Sequence, residues 1–255
     1  MGVLILSALP ALAANGEEGP LLPFPVERPF RAITPHTLGP RRVQLESEML
    51  TYVIDEGGDQ HTVAVNTMTW RLGVTETHEG QLTLESFKTG NKRRNPGVGD
   101  AILHWKKKIA GAAHRGWSWG VKASLRLPTG AEIAEERRLR AEALSPLAWA
   151  WNENAVVQSA LGVSVGRGVD HVAKQATLIG SLGLQWRYGE RLYLMTEATD
   201  EWTTEGPQYN RARAMAGFGV VPAHGMRLDL GTRIGMTAAT EDLSFFFGLV
   251  TGVGI

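Results

Sequence analysis

Between Trp117 and Leu127 every second residue is apolar, a spacing that only an extended chain can exploit. Trp117, Trp119, Val121, Ala123, Leu125 and Leu127 fall on one side, and Ser118, Gly120, Lys122, Ser124 and Arg126 on the other. A helix would scatter Lys122 and Arg126 among the tryptophans; a strand separates them. The same period recurs. Thr177, Ser181, Gln185 and Arg187 oppose Leu178, Leu182, Leu184, Trp186 and Tyr188. Arg211, Arg213, Met215 and Gly217 oppose Ala212, Ala214, Ala216 and Phe218, and Arg227, Asp229, Gly231 and Arg233 oppose Met226, Leu228, Leu230 and Ile234. Near the end, Leu243, Phe245, Phe247, Leu249 and Val253 face away from Ser244, Gly248, Gly252 and Gly254. Weaker alternation covers Val43 to Val53, Thr62 to Leu72, Gln81 to Phe87, Asp100 to Ile109, Pro146 to Trp151, Val156 to Val165 and Arg191 to Ala198. The total is about twelve strands, and single-chain bacterial outer-membrane barrels have an even number.

The fold then depends on which face is wet. A soluble sandwich buries its apolar face, whereas a membrane barrel turns apolar side chains to lipid and polar ones to its lumen. Three features favour the barrel. Glycines stand beside Arg, Lys and Glu on the polar face, as a crowded interior demands. Segments of about ten residues match a tilted span of the bilayer, while globular strands average about five or six. The connections also alternate in length. Longer ones fall near Asp55–Gln60, Lys88–Pro96, Pro128–Leu144, Gly166–Ala173, Thr199–Pro207 and Gly235–Glu241; Asn152–Asn154, Gly189–Glu190 and Val221–Gly225 are tighter. With Val43 rising from the periplasm, the long loops face outward, and Trp70, Trp117, Trp119, Trp151, Trp186, Tyr188 and Phe218 gather at the periplasmic headgroup level. The expected fold is an all-β, antiparallel up-and-down transmembrane barrel over residues 43–255.

What precedes the barrel divides in two. Residues 1–13 form a short apolar run closing on Ala11, Leu12 and Ala13, the marks of a secretory signal, although no Lys or Arg precedes it and the signal reads as incomplete. Residues 14–42, rich in Pro and Gly, read as an extended periplasmic leader. The chain has no cysteine, which excludes disulfides and thiolate zinc sites. Acids and bases balance at 26 each, so no global field draws the chain to nucleic acid.

Short motifs in order carry a resemblance. Glu27, Arg28, Pro29 and Phe30 are followed by Thr34, Pro35, His36, Thr37, Leu38, Gly39 and Pro40, leading into Val43, Gln44, Leu45, Glu46 and Ser47. Gly97, Val98, Gly99 and Asp100 precede a lysine-bearing strand; Leu125, Arg126, Leu127, Pro128, Thr129 and Gly130 precede a long loop; Arg227 to Gly231 fit a penultimate strand. Together they resemble the outer-membrane family of transporters labelled "meta-pathway of phenol degradation", across nearly the whole mature chain. The resemblance implies a bacterial outer-membrane location and passage of small, often aromatic, molecules. The expected partners are outer-membrane lipids, a small solute and the barrel-assembly machinery, although the sequence finishes on Ile255 where such barrels usually carry an aromatic residue.

The chemistry available to a channel is the polar face. Early strands supply Glu46, Glu48, Glu85 and Asp100; later ones supply Lys106, Lys108, Lys122, Arg126, Arg187, Arg211, Arg213, Arg227 and Arg233, with Glu197 and Asp229 among them. Opposed charges across a narrow lumen would tune selectivity, or simply pair and fill it. Tyr52 and Tyr193 are the rings expected there. The run Ala131 to Leu144 breaks the period, with Glu136 and Arg140 at helical pairing distance, and reads as a solvated loop, a lid or an arginine patch for lipopolysaccharide phosphates. Two other readings stand beside the channel: a plugged structural barrel, and an outer-membrane lipid hydrolase. No catalytic motif, cofactor motif or metal-ligand spacing is present, so no enzyme activity and no cofactor is expected.

Overall fold

The computed structural model describes residues 26–55, 60–85, 87–90, 97–111, 116–130, 139–167, 174–204 and 210–254. The strands are β1 (Arg42–Asp55), β2 (Gln60–Gly73), β3 (His78–Leu84), β4 (Phe87–Gly90), β5 (Gly97–Val98), β6 (Ala101–Gly111), β7 (Gly116–Leu127), β8 (Arg140–Ala150), β9 (Ala155–Arg167), β10 (Lys174–Tyr188), β11 (Leu192–Thr203), β12 (Asn210–Ala223), β13 (Met226–Gly235) and β14 (Leu243–Gly254). Consecutive strands pair antiparallel, except that β3 and β4, like β5 and β6, follow each other end to end. The ring closes because β1 pairs with β2 on one side and β14 on the other, from Arg42 opposite Gly254 to Ile54 opposite Leu243. Closure leaves no open edge, the condition for backbone to survive in lipid.

Two of the twelve positions in the ring are interrupted strands. Both β3 and β4 pair with β2, while β6 and β5 run back along β3 and β4. The breaks meet: Glu85 N–H donates to the Asp100 carbonyl at 3.1 Å, and Gly99 N–H to the Glu85 carbonyl at 2.8 Å. The continuous strand expected from Gln81 to Phe87 is therefore split, and Asp100 lies in the break instead of in β6.

Side-chain exposure confirms the inverted pattern. All eight tryptophans (Trp70, Trp105, Trp117, Trp119, Trp149, Trp151, Trp186 and Trp202) lie on the outer surface, beside Leu103, Leu161, Val163, Leu178, Leu182, Leu194 and Leu230. Buried positions go instead to Gln44, Glu46, Arg71, Glu79, Lys106, Arg227 and Asp229. Apolar rows outside and charges inside are the reverse of a soluble sandwich.

Three further sequence expectations are corrected. The run beginning at Ala131 was expected to be non-strand through Leu144, but Arg140–Leu144 open β8, and residues 131–138 lie outside the described residues. Arg140 and Glu142 alternate with outward Ala141 and Ala143, so a period of two was hidden under helix-forming residue types. Tyr52 points outward. A bulge between Glu48 and Leu50 shifts the register, so Thr51 takes the inward place and Tyr52 the outer one.

The third correction is the largest. The leader expected to extend into the periplasm is inside the ring over residues 26–39, and Pro40 and Arg41 form the exposed turn into β1. Its backbone and side chains bond to Glu46 on β1, Glu79 on β3, Lys106 on β6, Lys122 on β7, Glu142 on β8, Glu197 on β11 and Arg227 on β13. No segment outside a closed ring could reach strands from every side of it. The expected signal at residues 1–13 lies outside the described residues.

Candidate functional site

The luminal segment is a loop whose two limbs sit at one height and whose apex reaches further. Glu27 and Leu38 both meet the wall at Arg71 and Glu79: the Leu38 N–H donates to Glu79 Oε2 at 2.6 Å, and Arg71 Nη2 lies 3.7 Å from Glu27 Oε1. Between the limbs, Arg31 and Ala32 donate backbone N–H groups to the Glu197 carboxylate. Arg31 Nη2 reaches Glu142 at 2.7 Å and Glu201 at 3.4 Å. Close approach at the foot requires glycine: a Cβ on Gly73 would lie 1.9 Å from the Gly39 carbonyl oxygen.

Three charge clusters bind segment to wall. In the first, Arg71 holds Glu79 through Nε at 2.7 Å and Glu46 through Nη1 at 2.5 Å, while Gln44 and Gln81 donate to the same carboxylates. The Glu27 carboxylate bridges Lys106 at 2.5 Å and Lys122 at 2.8 Å. Burial opposes the charge on Glu27, but Lys106, Lys122 and Arg71 outweigh it and hold the carboxyl well below the usual range. In the second, Glu48 accepts from Arg28 at 2.9 Å and Arg233 at 3.0 Å, and Arg233 also lies over the Phe246 ring at 4.5 Å. The third joins Arg227 to Asp229 at 2.7 Å; Arg227 donates to the Arg28 carbonyl and sits 5.6 Å from the Tyr193 ring centroid.

Of the residues singled out from sequence, Glu46, Glu48, Lys106, Lys122, Glu197, Arg227, Asp229 and Arg233 are brought together around this segment. Glu85 and Arg126 pair bidentately at 2.9 and 3.0 Å beside Asp100, where the strands break. Arg213 pairs with Glu241 at 2.8 Å near the long-loop end, and Arg211 beyond it is exposed. Arg187 stands apart at the tight-turn end, donating to Asn154. Among the described residues no group of histidines and carboxylates is arranged to hold a metal ion.

The sequence reading missed the apolar half of the lumen. Phe30 packs with Met195, Met215 and Phe246, and Ile33 with Leu144 and Ile179, all buried. Ile179, Met215 and Phe246 occupy polar-face places in their strands, and that mismatch was the available signal. Apolar residues on an inward face require an apolar partner inside, and the luminal segment supplies it.

This geometry defines a class: a closed twelve-stranded antiparallel barrel of the outer-membrane type, with its N-terminal segment folded into its own lumen. Solved structures agree on the fold. An outer membrane channel from Pseudomonas putida F1 superposes with a TM-score of 0.64 at 11% identity, over 86% of this chain and 97% of that one. The NanC porin gives 0.60 at 7% identity over 81% and 98%, and the KdgM porin, solved with disordered oligogalacturonate, 0.55 at 9% over 82% and 98%. No family model matches the chain, and no curated protein matches its sequence.

Proposed function

We propose that the protein is a channel of the bacterial outer membrane for small molecules, occupied at rest by its own residues 26–39. The observation that carries this reading is the chemistry of the occupied lumen. The occupant belongs to no strand, so it can leave without opening the ring, and beside the Phe30 and Ile33 contacts it is held by hydrogen bonds and ion pairs that water can replace. The path it fills is lined by Glu46, Glu48, Glu85, Lys106, Lys122, Arg126, Glu197, Arg213, Arg227, Asp229 and Arg233, with Arg211 and Arg187 towards the two ends. The solved proteins of similar fold are described as a channel and as porins, which supports the same role. The resemblance to transporters of the phenol meta-pathway makes small aromatic solutes the first class to test, after export by a signal and insertion by the barrel-assembly machinery.

The plugged structural barrel has one observation in its favour: Arg71, Glu79 and Lys106 have no exposed surface, so the lumen is packed at their level. The hydrolase reading has less. His104 lies 2.8 Å from Ser124, but its other ring nitrogen meets Thr83 at 3.0 Å, a hydroxyl where an orienting carboxylate would stand. Planar-bilayer recording with aromatic-solute competition separates the readings. A channel gives discrete conductance that the solute interrupts, and more of it when the segment's anchors are weakened. Silence in both wild type and weakened variants rejects the channel.

A further inference from the structure

The register of β6 and β7 sets Lys106 directly opposite Lys122, and both point inward with 0% and 8% of their surface exposed. Like charges directly opposed on adjacent strands destabilise a sheet unless an anion sits between them. Here the anion is Glu27, which gives one carboxylate oxygen to each ammonium, at 2.5 and 2.8 Å. Glu27 belongs to the luminal segment and not to the wall. The wall's own nearby carboxylates are engaged elsewhere: Glu46 and Glu79 flank Arg71, and Glu79 stands 3.8 Å from Lys106 against 2.7 Å from Arg71.

A second element of the same turn fills a second recess. The Phe30 N–H donates to the Glu27 carbonyl at 3.0 Å, so the two residues open and close one tight turn. The Phe30 ring is enclosed by Met195, Met215 and Phe246, and approaches the β10 backbone so closely that a Cβ on Gly183 would lie 3.0 Å from it. One turn thus presents a carboxylate to two lysines and a ring to an apolar recess.

We propose that the Lys106–Lys122 pair is a binding site for an organic carboxylate carrying an apolar ring or chain, and that Glu27 and Phe30 occupy this site as an internal competitor. The proposal rests on the reading that the segment can leave the lumen. Withdrawal strips both lysines of their nearest anion, and a solute of matching chemistry restores it. Neutral aromatics offer only the ring, and inorganic anions only the charge.

The test is calorimetric titration of the full-length protein in detergent micelles with 3-phenylpropionate. An occupied site lowers apparent affinity by the fraction of time it is free, so Glu27→Gln should tighten binding by roughly tenfold or more. Adding Lys122→Gln to that variant should abolish the gain. In Glu27→Gln, 3-phenylpropan-1-ol and inorganic phosphate should each bind at least about tenfold more weakly than 3-phenylpropionate, since each meets only half of the site. An absent gain, an equal affinity for the alcohol or for phosphate, or a gain that survives Lys122→Gln overturns the site. Should Glu27→Gln not fold, Phe30→Ala keeps the test alive, because it vacates the recess without touching a charge and should favour phenylpropionate over acetate. Calorimetry needs no transport: binding gain without conductance rejects the channel alone, and conductance without binding gain rejects the site alone.

Discussion

The Glu197 carboxylate, projecting inward from β11, accepts the backbone N–H of Arg31 at 2.9 Å at the apex of the luminal loop. The same carboxylate also accepts the N–H of Ala32, so one wall residue satisfies two adjacent buried backbone donors. A buried donor left without a partner is costly, which makes Glu197 an anchor for the whole loop.

Replacing that anchor should loosen the segment and leave the barrel intact. Hydrogen bonds to a charged partner contribute about 1.5–3 kcal/mol, so Glu197→Ala should raise the undocked population at least about tenfold. The chain has no cysteine, so Thr34→Cys reports on undocking without interference. Thr34 is buried, and aqueous maleimide should label the cysteine slowly alone and about tenfold faster with Glu197→Ala. Equal labelling rates would mean that the apex is not what holds the loop.

Gly73 and Gly80 lie on one hairpin and predict opposite outcomes. A Cβ at Gly73 meets the Gly39 carbonyl oxygen at 1.9 Å, a backbone atom that cannot step aside, whereas at Gly80 nothing lies within 4 Å. Gly73→Ala should therefore unseat the foot of the luminal segment and increase channel openings in bilayers. Gly80→Ala should leave recordings unchanged. Identical traces from the two would show that the foot does not bear on conduction.

The sequence made the barrel legible because lipid imposes a strict period of two on the outer face. Trp117, Trp119, Leu125, Leu178, Leu182 and Leu230 could face only one way. The lumen was less legible, since inward residues answer to whatever fills the space. Phe246 between Ser244 and Gly248 breaks the polar face, and only Phe30 packed against it accounts for the break. The luminal segment itself was misread because Pro and Gly mark irregular chain without saying where it runs. Its partners are remote in sequence: Arg31 and Glu142 are 111 residues apart, and Arg28 and Arg227 are 199 apart. Only closure of the ring brings them together.

Arg71 and Arg187 separate structural from surface charge. Arg71→Met would leave Glu46, Glu79 and Glu27 crowded without their shared cation, and breaking a buried pair in this way costs about 3–5 kcal/mol. Arg187→Met removes only exposed hydrogen bonds to Asn154 and should stay within about 0.5 kcal/mol of wild type. Urea unfolding in detergent, followed by the gel mobility of the folded barrel, measures both. A stable Arg71→Met protein would contradict the packed charge cluster.

Near the long-loop end, Arg213 and Glu241 should set ion selectivity together. Burial works to raise the Glu241 pKa, but the hydrogen bond and charge of Arg213, with Arg211 adding to them, outweigh it and hold the carboxyl below its ordinary 4.5. With the folded pKa depressed, the pair contributes fully above that ordinary value and is lost only as pH falls through the lower one. Glu241→Gln at neutral pH should therefore shift the reversal potential towards anions, and neutralising Arg211 and Arg213 should shift it towards cations. Wild type should keep its neutral-pH selectivity at pH 5 and approach the Glu241→Gln value only in stronger acid. A wild-type shift already complete at pH 5 would contradict the depressed carboxyl.

The placement of the tryptophans gives the most direct test of membrane residence. All eight sit on the outer face, from Trp119 at 38% exposed to Trp151 at 70%, and Trp149 and Trp151 stack at 5.4 Å near the tight turns. In a bilayer that face meets acyl chains and headgroups, where amphipathic indoles are favoured. Reconstitution into vesicles of brominated lipid should quench most of the emission, while aqueous acrylamide should quench little of it. Moving the bromine from the chain centre towards the headgroup should increase quenching, because Trp70, Trp117, Trp119, Trp149 and Trp186 stand towards the tight-turn ends of their strands and Trp151 lies in the turn after β8. A barrel whose outer wall faced water would reverse the first comparison: acrylamide would reach the indoles and bromine would not.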